Sequence, residues 1–201
     1  MMNKDRIFIW VLCVIYSLFT IIRLRYRKHS RKSEKVIEQI EKYEGILFLN
    51  KLIIFEVFTF MIFTIWTLIN PSTVPFNMKF GIGIRITGVF FGALSIIGFL
   101  WVHHALGVYF SPRLEVHKDQ QLIQSGPYRW LRHPMYTAFF FLHIAVFLIS
   151  TNYFLGITWI FGLLGLVIYR IPKEEEMLSK KFGLIYQEYM EKTKRFIPWL
   201  F

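Results

Sequence analysis

Cysteine and acidic residues are the two scarce groups in this 201-residue chain. There is one Cys, and 13 Asp plus Glu stand against 24 Lys plus Arg, leaving a formal net charge of +11. A single thiol excludes an internal disulfide, a thiolate metal cluster and a CxxC redox pair. Cys13 lies inside an apolar run and reads as a small buried hydrophobe. There is also no internal repeat, low-complexity run or flexible linker. What is abundant is apolar side chain: 55% of the chain is hydrophobic, with 22 Phe, 6 Trp and 10 Tyr. That composition excludes a disordered or collagen-like chain. A soluble domain of this size has too much surface to bury so much. The long apolar runs that separate the basic residues argue against a soluble nucleic-acid binder. The chain reads as an integral membrane protein with basic connections.

Five predominantly apolar stretches carry this reading: Ile7–Ile22, Leu52–Ile69, Ile82–Leu106, Thr137–Ile149 and Tyr153–Tyr169. The second holds Glu56 and the third Arg85. A spanning helix needs about 20 mostly apolar residues. The third is long enough to cross with tilt. The fourth and fifth are short and separated only by Ser150-Thr151-Asn152, which predicts a tight helical hairpin. The first follows Lys4 and Arg6 as a signal peptide would, but it has no small-residue cleavage site. It runs straight into Arg23-Leu24-Arg25-Tyr26-Arg27-Lys28, so it is expected to be a retained helix.

The connections alternate in charge. Between Arg23 and Lys35 lie Arg23, Arg25, Arg27, Lys28, Arg31, Lys32 and Lys35 against Glu34, whereas Asn70–Gly81 has only Lys79. The third connection carries Arg113, Lys118, Arg129 and Arg132, the fourth has no charge, and the C-terminal segment is again rich in Lys and Arg. Basic loops stay cytoplasmic. Five spans, with the N-terminus outside and the C-terminus in the cytoplasm, satisfy every loop. Two further segments look amphipathic. Val36, Ile37, Ile40, Tyr43 and Leu47 recur at helical spacing in Glu34–Phe48, and Leu178, Phe182, Ile185 and Tyr189 do so in Glu174–Lys192. Pro172 suits the first turn of the second, whose start also carries Glu174, Glu175 and Glu176. Both are expected along the cytoplasmic interface.

Polar chemistry concentrates in Gln120–Tyr136. Gly126-Pro127 forces a turn, and Pro134 keeps His133 out of the helical region. Irregular backbone at a membrane boundary is tolerated where it is buried in protein or lines a cavity. A cavity there implies a lipid-like substrate; the alternative is a capped loop that only joins two helices. Arg170 ends the fifth apolar stretch four residues before Glu174. If one helix runs through Pro172, the two share a face; the simpler reading is snorkelling with an ordinary ion pair. His103, His104 and His143 read as packed or interfacial rather than metal ligands, and Glu56 as paired with a polar group of another helix. Gly81, Gly83, Gly88, Gly92 and Gly98 suggest close helix contact.

Gly126-Pro127-Tyr128, Arg132-His133-Pro134-Met135-Tyr136, Glu174-Glu175, then Phe182-Gly183 with Ile185, Tyr186 and Tyr189, and finally Arg195-Phe196-Ile197-Pro198, resemble the isoprenylcysteine carboxyl methyltransferases. These sit with phospholipid methyltransferases in a superfamily of small membrane enzymes. The resemblance covers Leu114–Pro198. It implies S-adenosylmethionine as methyl donor, S-adenosylhomocysteine as product, no metal, and a cytoplasmic cofactor pocket. Residue by residue, it places Gln120, Gln121, Leu122 and Ile123 in the stretch that wraps the cofactor. It makes Tyr128 the pocket tyrosine, and His133, Pro134, Met135 and Tyr136 a second contacting run. Glu174 is implied as a catalytic and cofactor-touching carboxylate, and Arg170 as the catalytic, substrate-facing arginine. Gln120 stands where the family has His, and Ala138 where it usually has Gly.

The expectation is therefore an all-α integral membrane protein with about five transmembrane helices and an interfacial C-terminal helix. It forms one membrane-embedded domain over 1–201, with three helices in 1–106 and a methyltransferase core in 107–201. The expected acceptor is a lipophilic carboxylate such as an isoprenylcysteine, met in the membrane lipid, with no nucleic acid and no obligate protein partner. Two rivals remain. Arg170 suits a carboxylate better than the ethanolamine head of a phospholipid N-methyltransferase. A sterol-type nicotinamide-dependent reductase lacks paired glutamates placed like Glu174-Glu175.

Overall fold

The computed structural model describes residues 4–31, 45–110 and 121–197, so most of the Glu34–Phe48 amphipathic segment and Gln120 lie outside the described residues. The described chain is helical: α1 (Lys4–Arg31), α2 (Gly45–Ile69), α3 (Ile82–Leu106), α4 (Pro134–Ser150), α5 (Tyr153–Phe182) and α6 (Leu184–Lys192), with short 3₁₀ turns at Pro71–Thr73, Gly107–Tyr109 and Gly126–Arg129. Among the described residues, three segments are long and apolar enough to cross a membrane: Lys4–Tyr26, Ile82–Tyr109 and Tyr153–Phe182. Ile54–Ile69 and Pro134–Ser150 are shorter apolar helices.

A main core joins α1 to α5, with a smaller cluster of Tyr136, Leu163 and Ile171 beside it. Ile9, Leu12, Ile15 and Phe19 of α1 meet Phe60 and Phe63 of α2, Phe99 of α3, Leu142 and Val146 of α4, and Leu155 and Trp159 of α5. Among apolar lipid tails there is little hydrophobic drive between helices, so small residues and buried polar contacts hold them. A side chain at Gly88 would strike Leu148 and Ile149 of α4, and one at Gly92 would strike Ile15 of α1. Gly81 and Gly83 have open space, so close packing begins only at Gly88. Ser95 donates to Ala138 O at 2.9 Å. Ala138 itself is buried against Gly98, which leaves room for its methyl group.

Several polar residues inside the apolar helices are paired across helices. Glu56 of α2 faces His143 Nε2 of α4 at 3.5 Å, as the interhelical reading of Glu56 anticipates. His143 Nδ1 bonds Phe139 O, and Trp159 Nε1 donates to Thr59 one turn along from Glu56. Arg85 ties three helices: its guanidinium bonds Asp5 of α1 at 2.5 Å and Ile149 O at the end of α4 at 3.2 Å, and lies over the Phe8 ring. A cation there also suits the negative end of α4. His103 is fully buried among Tyr26, Phe99 and Phe110, as a packed histidine.

The hairpin is as tight as its sequence demands. Thr151 adopts a left-handed φ of 57°, and Asn152 caps α5 by accepting from Leu155 N at 3.0 Å. The Asn152 amide also donates to Pro75 O and Asn77 Oδ1, fixing the Asn70–Gly81 connection under the hairpin tip. Asn152→Ala removes a cap and two cross-links together. It should destabilise the protein by about 1–2 kcal/mol, read as a lower thermal unfolding midpoint in detergent.

Two expectations need correcting. Pro172 does not start a new helix: α5 runs through it to Phe182, so only one helical hydrogen bond is sacrificed. The break falls instead at Gly183, whose φ of 55° and ψ of −127° suit a residue without Cβ. That break resets the helical phase, so the predicted stripe is only partly kept past it. In α6, Tyr186 and Tyr189 are buried while Ile185 is exposed.

Candidate functional site

The site forms where the turn before α4, the second half of α5, and the segment after α6 meet. Pro127 at the start of the 3₁₀ turn fixes its φ, and Gly126 supplies a positive φ of 60° against Trp101 and Ala105 of α3. Pro134 occupies the first turn of α4, where its missing N–H costs nothing. Tyr136, in that same turn, points its hydroxyl to Glu174 Oε2 of α5 at 3.2 Å. Because α5 is continuous, Arg170 lies one turn before Glu174 on the same face. Arg170, Tyr136 and Glu174 therefore converge, although Tyr136 stands at the start of one helix and the other two lie late in the next.

Tyr128 belongs to the same neighbourhood. Burial, and then the Glu174 carboxylate, hold its hydroxyl well above the ordinary tyrosine range, so it stays protonated and able to donate. His133 is buried and turned toward the second glutamate, Glu175, at 3.2 Å. Met135 packs on the helix core. Gln121 is exposed, and Leu122 and Ile123 are part-buried, in the coil leading to the turn. Of the expected residues, Tyr128, Tyr136, Arg170 and Glu174 are thus brought together, with His133 beside them.

Sequence reasoning passes over several neighbours. Glu175 accepts from Arg132 Nε at 3.0 Å and from Arg195 Nη2 at 2.6 Å in addition to facing His133. Tyr189 donates to Tyr128 O at 2.8 Å. Tyr186 is buried, and its hydroxyl has no hydrogen-bond partner among the described residues. Burial and the nearby Glu175 raise its pKa, so it too remains a donor. All of them lie in the quoted motif residues, but nothing local in the sequence says which touches which. Among the described residues no group of three or more His, Cys, Asp or Glu is placed to hold a metal ion.

Comparison with known proteins bears on this arrangement. Residues 88–180 match the model of the isoprenylcysteine carboxyl methyltransferase (ICMT) family, from the first half of α3 to late α5. The match thus starts earlier than the motif residues suggest and stops before α6. A Saccharomyces cerevisiae protein named protein-S-isoprenylcysteine O-methyltransferase is 34% identical over 99 residues, 48% of this chain and 41% of the yeast protein. A probable protein-S-isoprenylcysteine O-methyltransferase of Oryza sativa subsp. indica is 30% identical over 93 residues, 45% of this chain and 49% of its own length. The chain spans less than half of the curated relatives it matches. A solved eukaryotic intramembrane Ras methyltransferase, ICMT, shares the fold, with a TM-score of 0.57 and 21% identity over 80% of this chain and 55% of that one. The apolar helices and the family match make this an integral membrane protein, and residues 88–180 carry the sequence pattern of the isoprenylcysteine carboxyl methyltransferase family.

Proposed function

We propose that this protein transfers a methyl group from S-adenosylmethionine to the carboxylate of a lipophilic acceptor, an isoprenylcysteine or close analogue, at the cytoplasmic face of the membrane. The observation that carries the reading is the Tyr136–Glu174 hydrogen bond with Arg170 one turn away on the same helix face. The buried hydroxyl of Tyr186, which has no partner among the described residues and lies near Glu175, Arg132, Glu174 and Tyr189, is available to a polar ligand. When bound, S-adenosylmethionine supplies an electrophilic methyl on a sulfonium. Glu174 balances its positive charge, and Tyr128 and Tyr136 provide aromatic walls for the cation or the adenine. Arg170 grips the acceptor carboxylate as a fork.

The displacement needs little else from the chain. With the donor bound, the chemistry would be an in-line methyl displacement from sulfur to a carboxylate oxygen, with the bonding electrons left on sulfur and no proton to move. Anion and cation become two neutral groups, so the residues act by holding both reactants in line and by excluding water. The acceptor is taken to enter from the bilayer between the helices and the cofactor from the cytoplasm, with the N-terminus outside as the charge pattern indicates. A cationic Arg170 gives no reason to prefer an amine acceptor.

Two measurements on purified protein test the reading. Titration calorimetry with S-adenosylhomocysteine should give saturable one-site heat. Radiolabelled methyl from S-adenosylmethionine should appear in a farnesylated cysteine with a free carboxyl group and not in its amide. No heat with either form of the cofactor removes the proposal.

A further inference from the structure

Glu175 lies next to Glu174 in sequence but faces a different set of groups. Its carboxylate is buried and collects three cationic or proton-donating side chains: Arg132 Nε at 3.0 Å, His133 Nε2 at 3.2 Å, and Arg195 through Nε at 3.2 Å and Nη2 at 2.6 Å. The pairing with Glu175 also raises the pKa of Arg195. These partners come from two separate segments, the turn before α4 and the strap after α6. The backbone repeats the connection: Lys194 N donates to Trp130 O, Arg132 N to Lys194 O, and His133 N to Arg195 O, at 3.1, 2.7 and 3.0 Å. Arg132 further caps the end of α6 by donating to Met190 O at 2.8 Å and to Thr193 O. Thr137 adds a bond to Phe196 O at 2.8 Å.

This is more than a helix needs to be anchored. Apart from the Arg195–Glu175 pair, each bond lands on the stretch from Trp130 to Thr137 that contains Tyr136, the partner of Glu174. A charge-assisted network in a buried setting is directional, and it fixes backbone as well as side chains. Removing the one anion leaves Arg132 and Arg195 facing each other without a counter-charge, which drives turn and strap apart.

We propose that Glu175 is the positioning residue of the cofactor site, holding the Trp130–Tyr136 stretch in place through Arg132, His133 and Arg195, and that the strap Thr193–Phe196 is a working part of that site. This rests on the proposed cofactor, while the clasp itself can be read without it. The test uses the full chain in detergent as Glu175→Gln, Arg195→Gln and the double variant. For each, three quantities are measured: affinity for S-adenosylhomocysteine, kinetics with S-adenosylmethionine, and amide hydrogen exchange. Glu175→Gln should weaken cofactor binding and raise its KM by about tenfold or more, with kcat within about threefold. Exchange should rise together in 128–136 and 193–197. The double variant should bind no more weakly than Glu175→Gln, because both substitutions break one network.

Unchanged affinity and exchange in Glu175→Gln overturn the proposal. So does a loss of active fraction at unchanged KM, which marks a purely structural role. If the unsubstituted protein binds no cofactor, the methyltransferase reading fails, and the exchange result alone then decides whether Glu175 couples turn and strap.

Discussion

Arg170→Ala should lower kcat/KM for the acceptor by at least about a hundredfold, a loss of about 3 kcal/mol in transition-state stabilisation. On the proposed assignment Arg170 holds an anion at the lipid boundary, where water does not replace it. Removing one well-aimed donor from such a site costs about two to three orders of magnitude. A guanidinium also stabilises the unreacted carboxylate, so its benefit is chiefly placement, and the loss should fall on acceptor KM as well as on turnover. Arg170→Lys keeps the charge but loses the planar fork, and should recover only part of the activity. Glu174→Ala should be comparable in size but appear on the other substrate, as weaker binding of S-adenosylmethionine. Glu174→Gln still accepts from Tyr136 and isolates the contribution of charge. Radiolabelled methyl transfer with each substrate varied in turn separates the two. Near-normal turnover in both alanine variants, with intact thermal unfolding, would sink the assignment.

The face shared by Arg170 and Glu174 is legible in the sequence because a spacing of four is enough, provided the helix continues. Pro172 leaves that continuation open, and only tertiary packing of α5 settles it. The apolar helices and the hairpin are legible for a similar reason: composition alone drives them. Glu56 announces its need for a partner, since a charge costs about 3 kcal/mol at the bilayer centre, but nothing in the sequence names His143. The Glu175 clasp is illegible for a sharper reason. Its partners are coil residues on either side of three helices, α4 to α6, and coil carries no periodicity from which contact can be read. The bridge between Leu131 and Lys194 exists only once α6 has folded back over the turn. The phase change at Gly183 likewise hides Tyr186, because a stripe counted across the break selects the exposed Ile185 beside Tyr189 instead.

Gly88→Val should be strongly damaging although it lies away from the site. An added Cβ would lie 2.8 Å from Leu148 Cβ, 2.9 Å from Ile149 Cγ1 and 3.1 Å from the Ile149 backbone nitrogen. None of these is the free end of a flexible side chain, so α3 and α4 must separate. Overpacking of this kind costs about 1–3 kcal/mol for small additions, and valine adds two methyl groups beyond the first clash. Against this stands a helix-propensity gain over glycine of about 0.5 kcal/mol, too small to offset it. Separation of α3 from α4 also stretches the Ser95–Ala138 bond and the Arg85–Ile149 bond, which span the same interface. The effect reaches the site, because Trp101 and Ala105 of α3 support the Gly126 turn while α4 carries Tyr136. Gly83→Val is the matched control: a Cβ there meets nothing within 4 Å. Thermal unfolding in detergent should show Gly88→Ala lowered, Gly88→Val lowered further, and Gly83→Val unchanged or slightly raised, with methyl transfer following the same order. Equal stability of the two valine variants would mean that the α3–α4 contact at Gly88 does not hold the bundle together.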